Sequence, residues 1–134
     1  MNISQSLGHR TVLIGAALIE IVAGVGLMLA PSALVAMLVG IGPEGAALVL
    51  GRMAGIALLG LGLAAWPTDR AERPAFHGLL AYNGLVAIDL AWLGAGERLG
   101  GPLLWPTVIL HTATALLLVV TRRGFARHPH NPRA

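Results

Sequence analysis

The sequence predicts an all-α fold, an antiparallel four-helix transmembrane bundle, on three observations. Hydrophobic residues make up 56% of the 134 and charged residues 11%, well under the roughly 25% charged of a soluble domain. Four apolar runs of about twenty residues recur, the length that about 30 Å of hydrocarbon requires at 1.5 Å per residue. The chain also holds 18 glycines, which membrane helices use for close backbone approach. A chain of this length makes one domain, residues 1–134, with lipid as its principal partner.

The first span is expected over residues 11–30. It is longer than a signal-peptide core of about 7–15 residues and carries Glu20 within it, so it reads as a retained span. Pro31 ends it, because proline lacks the N–H that a continuing helix needs. Residues 32–40 (SALVAMLVG) are apolar but too short to cross. They are expected as a short interfacial helix after the first span, or as a tight continuation of it beyond a kink. Gly42-Pro43-Glu44 then punctuates the chain, and the second span, 45–66, stops at Pro67. The short charged connector 68–74 (TDRAERP) forces the third span, 75–94, to run antiparallel beside the second. A glycine-rich linker, 95–102, leads to the fourth span, 103–121, with Pro106 in its first turn, where a missing N–H costs little. Residues 122–134 read as a basic tail, disordered past its first turn.

Arginine counting orients the bundle. Both termini inside puts Arg10, Arg70, Arg73, Arg122, Arg123, Arg127 and Arg133 on the cytoplasmic side and Arg98 on the other. That asymmetry is the positive-inside pattern, and it predicts a multi-pass protein of a bacterial cytoplasmic (inner) membrane with N- and C-termini cytoplasmic. The net charge of +3 reports this topology and not a nucleic-acid partner. Cysteine is absent, excluding disulfides, thiolate metal sites and a cysteine nucleophile. Lysine is absent as well, which excludes Schiff-base chemistry. The pairing of Gly24-Val25-Gly26-Leu27 before Pro31 with Gly60-Leu61-Gly62-Leu63 before Pro67 is within chance for so biased a composition.

Each span carries one ionisable residue: Glu20, Arg52, Asp89 and His111. Counted from the outer helix ends they fall roughly 7–15 Å deep, so the expectation is a shared polar layer in which Arg52 pairs with Glu20 or with Asp89. Around it stand Tyr82, Asn83 and Trp92 on the third span and Thr107 and Thr114 beside His111. Gly51 and Gly55 form a G-x-x-x-G pair next to Arg52. Read structurally, the layer is a buried ion pair that sets which helix faces point inward. Read functionally, it is a pocket for a small molecule or for protons. No metal is expected, since Arg52 would repel a cation from a Glu20, Asp89 and His111 set. No cofactor is expected either. A bis-histidine haem needs two histidines at one level, and His77 lies on the order of 14 Å from the level of His111.

Gly24-Val25-Gly26-Leu27 with Ala30-Pro31, Gly51-Arg52 with Gly55 and Gly60, and Leu104-Trp105-Pro106 followed by His111 carry a resemblance. Over its whole length the chain resembles the small bacterial four-helix membrane proteins grouped as DoxX-like, together with neighbouring families of unknown function. The resemblance implies the four-helix fold, and for some DoxX-type proteins a place as subunits of membrane redox assemblies; no quinone or flavin signature accompanies it here. Three functions follow as expectations. The first is a small-molecule or proton-linked binding or transport component, working as a homo-oligomer because four thin helices enclose little volume. The second is an accessory or structural subunit of a larger membrane complex. The third is a small membrane enzyme on a lipid-like substrate, for which a histidine beside a carboxylate is the minimal kit but no nucleophile with an oriented base is present.

Overall fold

A computed structural model describes residues 3–68 and 72–126. The helices in chain order are α1 (Ile3–Leu29), α2 (Pro31–Val39), α3 (Ala46–Ala64), α4 (Glu72–Ala95) and α5 (Leu104–Ala126), with no strand among the described residues. Four of them, α1, α3, α4 and α5, are long and apolar enough to cross a membrane. The chain is an all-helical, multi-pass integral membrane protein.

Helix ends follow from local chemistry. Ala30 leaves the helical region (φ −137°, ψ 57°), and Pro31 opens α2 at a position where no N–H is needed. The short segment is therefore a helix of its own. It closes on Gly40, whose φ of +83° places it in the left-handed region, with its N–H donating to Ala36 O. α1 begins at Ile3 and α4 at Glu72, both earlier than hydropathy places them. Polar residues in a first turn are as helical as apolar ones; they are merely outside the hydrocarbon. α5 likewise continues through Arg122 to Ala126. Residues 69–71 of the charged connector and 127–134 of the basic tail lie outside the described residues.

α1 is the central element. It shares its largest interface with α3 and a second with α5, while α4 packs chiefly on α5; α3 and α4 barely touch. The α1–α3 seam is made by glycines. A Cβ on Gly24 would stand 2.6 Å from Leu59 N, one on Gly55 2.7 Å from Gly24 O, and one on Gly62 2.7 Å from Ala17 O. The two backbones are thus in direct contact, as small-residue membrane seams allow. Gly51, the other half of the expected G-x-x-x-G pair, adjoins Pro31 of α2 instead, and Gly60 faces open space.

Toward the end where the chain begins, Leu13, Ala16, Ala17, Ala65, Ala75, Phe76, Leu79 and Leu118 form the apolar core. At the opposite end main-chain bonds fasten α2 to the loop between α4 and α5. Gly101 N–H donates to Leu38 O and Leu103 N–H to Met37 O, each at 2.9 Å. Carbonyls at a helix C-terminus lack intrahelical partners, and here the α4–α5 loop supplies them.

Candidate functional site

Glu20 is brought inward by the same rotation of α1 that buries Gly24. At four residues apart the two share a side of the helix, and Glu20 is only 1% exposed. Opposite it on α4 stands Asn83, also 1% exposed. Its amide donates to Leu79 O at 2.9 Å and to Glu20 Oε1 at 3.4 Å. Those two acceptors fix which end of the amide is NH2. Asn83 Oδ1 is thereby left to accept from His111 Nδ1 of α5, at 2.7 Å. The proton on His111 accordingly sits on Nδ1, and Nε2 is the nitrogen free to accept.

Tyr82 completes the group. Its ring meets His111 edge-on, 5.7 Å between centroids and 78° between planes, and its phenol lies within electrostatic reach of Glu20. Three helices therefore converge on one buried polar cluster, Glu20–Asn83–His111. One atom in it makes no hydrogen bond: Glu20 Oε2 is buried without a partner, with the Tyr82 phenol the donor group nearby. Lipid offers no water to make up the loss, so an ionised carboxylate there carries an uncompensated charge.

The depth layer read from the sequence splits by height and by direction: Asn83, which meets Glu20 and His111, lies six residues, about 9 Å of rise, from Asp89 on α4. Glu20 and His111 face in; Arg52 and Asp89 are exposed on the outside of the bundle, and Trp92 is exposed beside Asp89. The expected pairing of Arg52 with Glu20 or Asp89 is corrected accordingly, since neither contact forms among the described residues. The causes are geometric. At about 100° per residue, Asp89 lies about 120° round α4 from Asn83, so the helix cannot turn both inward. The α1–α3 backbones touch at Gly55, leaving no room in that seam for a guanidinium. Thr114 is buried, but its hydroxyl is spent on Leu110 O at 2.9 Å. Thr107 is half-buried on the same helix.

A second cluster was not anticipated. His9 Nδ1 meets Thr121 Oγ1 at 3.2 Å, and Arg122 donates to His77 Nε2 at 2.9 Å. The Arg122 guanidinium lies 4.4 Å from the centre of the Phe76 ring, which also packs near His9 and edge-on to His77. This cluster ties the start of α1 and α4 to the end of α5. The signal that could have found it is that aromatic and basic residues flank three spans at the same end.

No protein-family model, curated protein or solved structure matches the chain.

Proposed function

We propose that the chain is a proton-linked binding or transport component of the membrane, with Glu20 as its proton-accepting group and Asn83, His111 and Tyr82 as its setting. The observation that carries this reading is the unpartnered Glu20 Oε2 in a fully buried position. A resident proton removes the uncompensated charge; a departing one restores it. Ionisable groups inside membrane segments are costly, and proton pathways are where such groups are used. Asn83 cannot relay a proton itself. Its amide holds the carboxyl and the imidazole on either side of it and sets the imidazole tautomer. The resemblance to DoxX-like proteins and the arginine distribution support placing the chain in a bacterial cytoplasmic membrane with both termini inside.

Proteoliposomes loaded with a pH-sensitive dye and given an inside-negative potential test this. Proton entry is expected with the unaltered chain and is expected to be lost in Glu20→Gln, which keeps the shape and removes the titratable group. Silence of the unaltered chain, or undiminished entry in Glu20→Gln, would refute the proposal. The reading as a subunit of a larger membrane assembly has its own observation, the outward-facing Arg52 and Asp89.

A further inference from the structure

Arg52 and Asp89 face outward at comparable depths. Arg52 lies six positions beyond Ala46, and Asp89 six positions before Ala95. Both helix ends belong to the side of the bundle that bears α2, because α3 and α4 run in opposite directions. Each charge therefore sits about 9 Å below its helix end. Arginine at that depth can extend its long stem toward the headgroups. Aspartate, with a single methylene, cannot, and a carboxylate facing acyl chains is costly. Asp89 is also set among apolar side chains: Leu85, Val86, Ile88 and Trp92 line a shallow open groove with it, and Leu85, Ile88 and Trp92 are each about two-thirds exposed. Arg98, the next cation in the chain, lies past the end of α4, on the loop.

We infer that the outer face of α4 around Asp89 is the docking surface for α3 of a second copy of this chain, with Arg52 of that copy as the counter-ion. The occupant follows from complementarity within one sequence. Among the described residues, one outward base and one outward acid lie well inside the spans, each about 9 Å from its helix end, on two helices that barely contact each other. Each copy thus presents both halves of the contact, and the same pairing can be made reciprocally by two copies or continued round a closed ring. Both side chains leave lipid together in this arrangement, and the exposed apolar residues of α3, among them Val49, Met53 and Ile56, cover the groove. The interface goes beyond the proton-linked reading and does not depend on it; Glu20 takes no part.

Charge reversal distributed over two copies tests the contact. Differently tagged chains are co-expressed, extracted in lipid nanodiscs and assayed for co-purification. The unaltered pair is expected to co-purify. Arg52→Asp in every copy sets Asp against Asp89, Asp89→Arg in every copy sets Arg against Arg52, and each is expected to lose at least tenfold of the mixed-tag yield. Arg52→Asp co-expressed with Asp89→Arg restores opposite charges at every contact between the two, and recovery to near the unaltered yield is expected. Intramolecular pairing, binding of a lipid headgroup by Arg52, or a different partner protein on α4 cannot give that recovery. A monomeric unaltered chain, single reversals without effect, or absence of recovery in the mixed pair overturns the inference. Because the chain has no cysteine, a second measurement avoids reversed charges. Arg52→Cys on one tagged copy and Asp89→Cys on the other should be bridged by a short bifunctional thiol reagent into a species carrying both tags. A bridge that forms only when both cysteines are in the same chain refutes the contact.

Discussion

The contact of α1 with α3 is made by glycine and backbone, whereas its contact with α4 is made by Glu20, which meets Asn83 and through it His111 of α5. The first contact is close because side chains are missing; the second is specific because side chains are present. Lipid rewards both. Two apolar helices gain nothing hydrophobic by meeting in hydrocarbon, so they associate through tight van der Waals contact or through interhelical hydrogen bonds. The difference lies in what each seam tolerates. The glycine seam fails on addition of one methyl group. The polar seam keeps its shape when an atom is exchanged but loses its chemistry.

Breaking the glycine seam should have the largest effect. Gly55→Ala and Gly62→Ala each drive a Cβ into α1 backbone or an α1 side chain at 2.7–3.0 Å, and a destabilisation of about 1–3 kcal/mol is expected for such overpacking. Reversible unfolding in mixed micelles measures it. Gly51→Ala serves as the internal control: its new methyl would meet Pro31 Cβ at an ordinary 3.4 Å, so the midpoint should hold or rise slightly through the backbone-entropy gain of alanine in a helix. Equal losses at 51 and 55 would refute the assignment of the seam.

In the polar seam, Asn83→Leu removes the partner of His111 Nδ1 and of Glu20 Oε1 together. About 1–2 kcal/mol should be lost, the scale of interhelical hydrogen bonds in membranes. Glu20→Gln should leave the unfolding midpoint unchanged or raise it, because an amide carries no charge to compensate. A large loss from Glu20→Gln would mean that the carboxyl is a structural partner. The smallest expected effect is a gain. Gly60 faces open space, and Gly60→Ala should stabilise α3 by about 0.5–1 kcal/mol through backbone entropy alone.

The four spans were legible in the sequence; the level and direction of their polar residues were not. Counting from proline and glycine stops gives a single layer, but helix ends need not lie level with one another: Asn83, which meets Glu20 and His111, stands six residues, about 9 Å of rise, from Asp89 on the same helix. Which way each points depends on rotation about the helix axis. A helix apolar nearly all round carries no polar stripe to mark an inner face. α3 is a clear case: glycines stand at 51, 55, 60 and 62, and only packing tells which of them touch α1. Asn83 shows a second gap: the sequence places it beside the layer, but nothing in the spacing marks this amide, six residues before Asp89, as the residue that joins three helices. The expected spans 11–30 and 75–94 fall inside the longer helices α1 and α4, because hydropathy sees the hydrocarbon and not the helix.

The fastening of α2 has a bearing on how this chain can vary over evolutionary time. Its two bonds to the α4–α5 loop are made by peptide groups, so they make no demand on which side chains α2 displays. Substitutions at its exposed positions, Met37 among them, should accumulate freely among relatives of this chain, whereas Pro31, buried beside Gly51, and Leu34, packed at Gly26, should vary less. The restriction falls on the loop: a Cβ on Gly101 would collide with Met37 O, so one position in a connecting segment is expected to stay fixed while the helix it holds drifts.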